Sequence, residues 1–234
     1  MKRMLLALAA VAVAIAGTGA TAATTACPSA RTCASYSLDA QRWPSSKGLV
    51  TIRYQVNWLG PGSLPGDVTK AIIAAADAWE LANPAIRFKF EGTSYDVPQL
   101  GNNRNEIAFV PTLDAGVIAQ ANHRAKGSVR LESDSLINIA KPWSFESCAQ
   151  ANGSCANAEG TGLRLLDLQS VATQQFGNWL GLRTLSGSSA RELSMFGSIA
   201  YGERHKSTPG LGDVRGVRAA YPCGRCASPR IFTP

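Results

Sequence analysis

The chain has 234 residues, a formal charge of +7 and 45% hydrophobic residues, enough for one well-filled core. Its basic residues are scattered rather than gathered into a stripe, which argues against nucleic acid as a partner. Beyond the N-terminus no apolar run approaches the roughly 18 residues of a membrane-spanning helix, so a chain without a membrane span is expected.

Residues 1–22 read as a secretory signal peptide. Lys2 and Arg3 give a charged start, residues 4–16 an apolar stretch, and Ala20-Thr21-Ala22 a small-residue cleavage site. Acylation at Cys27 is the weaker alternative, because Thr24-Thr25-Ala26 lacks the Leu-like residue such sites prefer. Removal of the leader leaves a charge of about +5 and a secreted, extracytoplasmic protein. The cysteines are Cys27, Cys33, Cys148, Cys155, Cys223 and Cys226. An even set in an exported chain reads as disulfides, and their grouping suggests Cys27–Cys33, Cys148–Cys155 and Cys223–Cys226. Spacing alone leaves other pairings open. Cys223-Gly224-Arg225-Cys226 follows the last expected helix instead of opening one, so it reads as structural rather than redox-active.

Residues 23–47 are rich in small and polar residues and form an extended lead-in to a domain spanning 48–222, followed by a cysteine-containing tail, 223–234. Within the domain, Val50, Ile52, Tyr54, Val56 and Trp58 alternate with polar residues, predicting a strand over 49–58. Asp67 is expected to cap a helix running to about Ala82, with Val68, Ile72, Ala75, Ala76 and Trp79 on one face. Asn83-Pro84 ends it, and Ile86, Phe88 and Phe90 mark a second strand. Further strands are predicted over 106–110, 116–121 and 134–139. A loop over 141–163 carries Cys148 and Cys155, and a helix is predicted over 165–182, with Val171, Phe176, Trp179 and Leu180 apolar and Gln174, Gln175 and Asn178 on its polar side. Gly212-Asp213 is expected to cap a short last helix through Val214, Val217 and Tyr221.

In its apolar frame the stretch Val171-Ala172-Thr173-Gln174-Gln175-Phe176-Gly177-Asn178-Trp179-Leu180-Gly181-Leu182 resembles the active-site helix of matrixin-type zinc metalloproteases of the metzincin clan. That family writes His-Glu-x-x-His-x-x-Gly-x-x-His, two His one turn apart gripping zinc and Glu acting as general base. Here Gln174, Gln175 and Asn178 stand at the His, Glu and His positions, Gly181 at the turn, and Thr184 at the third His. Ser194-Met195-Phe196 falls where the family places its Met-turn. Val117-Ile118-Ala119-Gln120-Ala121 resembles the edge strand along which substrate lies, with Gln120 where many relatives have a His for a structural zinc. The resemblance covers most of 42–222. It implies an α+β fold: a twisted, mostly parallel five-stranded sheet with an antiparallel edge strand, two long helices, and a small C-terminal subdomain with a short helix.

The chemistry of that family does not follow. Catalytic zinc wants three imidazole or carboxylate ligands, amides are poor donors, and the chain has two histidines, His123 and His205. A carboxamide at 175 cannot serve as general base. Both histidines read as surface residues. No Gly-x-Ser-x-Gly and no odd cysteine offer another nucleophile. The expectation is a monomeric pseudoprotease without catalytic residues or zinc, binding a peptide or protein through a cleft formed by Val117, Ile118, Ala119, Gln120, Ala121, Gln174, Gln175 and Asn178. Calcium is left open as a ligand, although no EF-hand loop is present. The alternatives are a hydrolase with an unrecognised site and a structural, envelope-associated domain.

Overall fold

The computed structural model describes residues 33–60, 65–111, 113–145 and 165–224. The leader, Cys27, Cys148, Cys155 and Cys226 lie outside them. Cys33 and Cys223 are each disulfide-bonded, and the partners expected for them, Cys27 and Cys226, are among the residues not described.

The architecture is mixed α/β. Strands β1 (Val50–Trp58), β2 (Ile86–Ser94), β3 (Glu106–Val110), β4 (Ala119–Lys126) and β5 (Val129–Asn138) form one sheet in the order β2-β1-β3-β5-β4. All neighbours are parallel except β4, which runs antiparallel to β5 at the edge. A two-residue pair, β6 (Trp143–Ser144) with β7 (Leu166–Asp167), leads into the second helix. The alternation in β1 buries Val50, Ile52, Tyr54 and Val56 while Thr51 and Arg53 face solvent. In β3 all five residues are buried, as befits a central strand covered on both sides.

Helix α1 (Gly66–Ala82) buries the predicted face, Val68, Ile72, Ala75, Ala76 and Trp79. Asp67 does not cap it. Pro65 occupies that position with no side-chain bond, and Asp67 lies in the first turn, paired with Lys70 at 2.9 Å. The acid still complements the helix dipole there, and Pro65 supplies the fixed φ that precedes a helix.

Helix α2 (Leu168–Trp179) is shorter at both ends than predicted. Asp167 accepts from the backbone of Ser170 at 2.8 Å and so starts the helix after the brief strand β7. Gly181, at φ +84°, ends it, in the conformation that favours glycine. Phe176 and Trp179 meet Tyr54 of β1 at ring distances of 5.2 and 6.5 Å. The indole of Trp79 donates to the Thr173 carbonyl at 2.8 Å, and that of Trp179 to Ser135 Oγ of β5 at 2.9 Å. These contacts fix α2 against α1 and the sheet.

The hairpin departs most from the sequence reading. The fourth strand was expected over 116–121 and the fifth over 134–139. Pairing instead spans 119–126 and 129–138, joined at Gly127 with φ +60°. Polar residues continue the strands because their partners are internal. Glu132, fully buried, accepts from the backbone of Gly101, Asn102 and Asn103 at 2.6, 3.2 and 3.1 Å and from Arg124 Nε at 3.0 Å.

The lead-in lies across the end of α2. Asp39 N donates to Gly181 O at 2.9 Å, Arg183 N to Ser37 O at 2.8 Å, and the Trp43 indole to Trp179 O at 2.7 Å. Helix α3 (Leu211–Ala220) completes the C-terminal part. Gly212 is not a free choice in it, since an added Cβ would sit 2.1 Å from the Ser35 carbonyl oxygen. Asp213 caps from inside the helix, at its third position, accepting from Gly210 N at 2.8 Å. Among the described residues no helix is long and apolar enough to cross a membrane.

Candidate functional site

Among the described residues, edge strand β4 is paired only with β5. Below it lies a cleft of about 300 Å³ lined by Ala119, Gln120, Ala121, His123, Gln174, Gln175, Asn178, Thr184 and Gly197. Three amides from α2, the threonine beyond its turn and three edge-strand residues named from the sequence therefore share one hollow. Val117 and Ile118 line an adjoining cavity of about 220 Å³, which shares Ala119, Gln174 and Gly197 with the cleft.

The amides differ in setting. Gln174 donates to the Phe196 carbonyl at 2.6 Å, tying the helix to the opposite wall. Gln175, expected on the polar side, is 2% exposed. Among the described residues its side chain makes one long hydrogen bond, 3.4 Å to Gln174 Oε1, and its own Oε1 is buried without a partner. Leaving such an acceptor unpaired costs about 1–3 kcal/mol. Asn178 Oδ1 accepts from Thr184 Oγ1 at 3.5 Å, at the limit of hydrogen bonding.

Met195 lies under the helix, 1% exposed. A Cβ on Gly177 would fall 2.3 Å from its sulfur and 2.7 Å from Trp79, so glycine is what lets the backbone settle onto the thioether. The turn bearing Met195 is pinned by Asp213, which accepts from Ser194 N at 2.9 Å and from Met195 N at 3.4 Å. Burial pushes the Asp213 carboxyl up to about 6, and the backbone donors around it oppose that rise.

His123 is not the surface residue expected. It pairs with Ser133 across the hairpin, and its Nδ1 lies 3.0 Å from Ser133 Oγ and 3.3 Å from Arg130 Nη1. Ser133 Oγ can donate to Nδ1 or accept from it, whichever ring nitrogen carries the proton. Burial, then the neighbouring Arg130 charge, push its pKa down to about 4, which keeps the ring neutral. The period of β4 held the signal: Ala119, Ala121 and His123 share a face once the strand extends past residue 121. His205 does lie near the surface, 3.4 Å from both Glu192 and Glu203.

Arg130 is the other residue that sequence reasoning missed. Its side chain is fully buried and ion-paired with Asp39. Nη1 donates to Asn178 O at 2.6 Å and Trp179 O at 2.9 Å, the terminal carbonyls of α2. A cation there complements the negative end of the helix dipole and backs the floor of the cleft.

The donor set does not fit zinc. Gln174, Asn178 and Thr184 offer amide and hydroxyl oxygens, poor zinc donors beside imidazole, and His123 is the one histidine among the residues lining the cleft. Among the described residues no three His, Cys, Asp or Glu side chains come together as a metal-ion group.

No family profile matches the sequence, and no curated protein matches it. Among solved structures the fold is similar to that of myroilysin, at 12% identity and a TM-score of 0.39, covering 81% of this chain and 100% of that one. It is also similar to metalloproteinase-II from Bacteroides fragilis, at 10% identity and a TM-score of 0.36, covering 75% of this chain and 53% of that one. At these values the superposition is partial, and the chemistry of the cleft rests on its own residues.

Proposed function

We propose that this chain is a secreted, matrixin-like pseudoprotease whose cleft binds an extended peptide segment without cleaving it. The observation that carries the reading is the edge of β4, open among the described residues, running beside a hollow walled by Gln174, Gln175, Asn178 and Thr184. An extended peptide joins a sheet edge through main-chain hydrogen bonds, which need no metal. The amides and the His123 ring offer donors and acceptors to such a chain, and the unpaired Gln175 carbonyl is satisfied if its amide turns toward a bound N–H.

Catalysis is what these residues withhold. Without a carboxylate at 175 no group takes a proton from water, and without imidazole ligands no metal lowers the pKa of that water. Each contribution is worth several kcal/mol of barrier, and every 1.36 kcal/mol is tenfold in rate.

The reading is tested with a library of fluorogenic extended peptides added to the purified mature protein, following both anisotropy and cleavage. Binding with no turnover, unaltered by a chelator, is the expected result. Chelator-sensitive cleavage, or failure of every peptide to bind, would overturn it.

A further inference from the structure

The sheet has a second edge, β2, opposite β4 and its cleft. In the parallel pairing with β1, Val50 N donates to Ala85 O. Odd-numbered residues of β2 therefore turn their main-chain groups to β1, and Ile86, Phe88 and Phe90 turn theirs outward, up to the bulge that follows Phe90. The chain seals the first part of that row itself. Ile86 N donates to Asn83 O at 3.0 Å, Ile86 O accepts from Arg87 Nη1 at 2.9 Å, and Phe88 N donates to Glu80 Oε1 at 2.6 Å. Such self-covering blunts a sheet edge. Beyond it, Phe88 O and both main-chain groups of Phe90 have no partner among the described residues. The rings of Phe88 and Phe90 meet Tyr54 at 6.3 and 5.6 Å. That leaves Lys89 and Glu91 exposed together on the outer face, 4.0 Å apart.

We infer that this open stretch of β2 is where a second copy of the chain docks, antiparallel, about a two-fold axis at Phe90. In that register Phe90 exchanges two main-chain hydrogen bonds with its counterpart, and Lys89 of each copy lies directly opposite Glu91 of the other. A two-fold pairing shifted one step either way sets Lys89 against Lys89 or Glu91 against Glu91, which like charges oppose. A two-fold contact needs a patch complementary to itself, and opposite charges placed evenly about Phe90 meet that need. The strand ends agree with it. Antiparallel pairing brings the start of one β2 beside the end of the other. Exposed Leu81, at the end of α1 that leads into β2, thereby comes to the side of exposed Tyr95 and Val97, which follow the strand. Glu80 sets the limit, since its bond to Phe88 N stops the ladder there. A pairing confined to 88–92 makes a weak, concentration-dependent dimer, where a monomer was expected from the sequence. The two β4 edges stay open on its far sides.

The test is sedimentation equilibrium of the mature protein from micromolar to millimolar concentration, where a monomer–dimer equilibrium is expected. Lys89→Glu and Glu91→Lys each raise the dimer dissociation constant at least about tenfold, because like charges then face one another twice. An equimolar mixture of the two variants recovers dimer, since in a mixed pair every acid faces a base. Hydrogen exchange at the Phe90 amide of the unaltered protein slows as its concentration rises, a readout that stands even if a variant fails to fold. A monomer at every concentration overturns the inference. So does a dimer that neither reversal weakens, or Phe90 exchange that ignores concentration, because the contact then lies on another surface, the β4 edge included. None of these outcomes bears on peptide binding in the cleft, which is read separately.

Discussion

Arg130 Nη1 donates to the carbonyl oxygen of Asn178 at 2.6 Å, joining strand β5 to the last turn of the cleft helix. The same guanidinium reaches Trp179 O and pairs with Asp39 of the lead-in, so one buried cation ties three segments together. Arg130→Met removes this ion pair and two donors to the end of α2, although Asp39 keeps Arg42 and the Gln41 N–H and Asn178 O keeps the Gly181 N–H. It is expected to lower unfolding free energy by about 1–3 kcal/mol, read from urea melts. Arg130→Met with Asp39→Asn should recover part of that loss, since the carboxylate that lost its buried partner is then neutral.

Gly177 touches Met195 and Trp79 so closely that the usual helix rule reverses. Alanine has the higher intrinsic helix propensity by about 1 kcal/mol. A Cβ 2.3 Å from the Met195 sulfur nevertheless forces repacking. Gly177→Ala is therefore expected to destabilise by roughly 1–3 kcal/mol in thermal or chemical unfolding.

The acid response should split between two groups of opposite sign. Asp213, raised from 3.8 to about 6 mainly by burial, contributes stability that is full below pH 4 and lost as pH rises through 6. Asp134, raised to about 7 chiefly by burial, acts in the same direction. His123, lowered from 6.5 to about 4, contributes stability that is full above pH 6.5 and lost as pH falls through 4. Between pH 4 and 6.5 these trends oppose one another. His123→Gln should make the protein relatively more stable in acid, and Asp213→Asn relatively less so. Unfolding free energy measured across pH 4–7 for the three proteins checks the signs.

The regular parts of this fold are written plainly in the sequence. Strand β1 alternates because one face meets α1 and the other meets water, and α1 keeps a stripe of Val68, Ile72 and Trp79 for the same reason. The β4–β5 hairpin obeys another logic. Glu132, Asp134 and Arg130 are buried there against backbone donors, a carboxylate and helix carbonyls supplied by distant segments. Polarity consequently stops marking the surface, and strand ends placed by hydrophobic alternation fall short. That Gln174, Gln175 and Asn178 line one hollow was legible from the frame around Gln174 to Gly181, whereas the burial of Gln175 was not. His123 was not, because its burial depends on Ser133 and Arg130 across a hairpin whose length the sequence did not disclose.

If Gln174, Asn178 and Thr184 stand around one point in the cleft, replacing them should build a metal site. Gln174→His with Asn178→His and Thr184→His presents three imidazoles to the same hollow. Zinc at about 100 times its dissociation constant should then stabilise the variant by roughly 2.7 kcal/mol, and leave the unaltered chain unmoved. Differential scanning fluorimetry with and without zinc reads the shift.

The most direct measurement is metal content by mass spectrometry on the purified mature protein, with zinc supplied during refolding. The cleft described above predicts well under one zinc per chain and a melting temperature that zinc does not alter. One tightly held zinc per chain, lost together with stability on chelation, would contradict it.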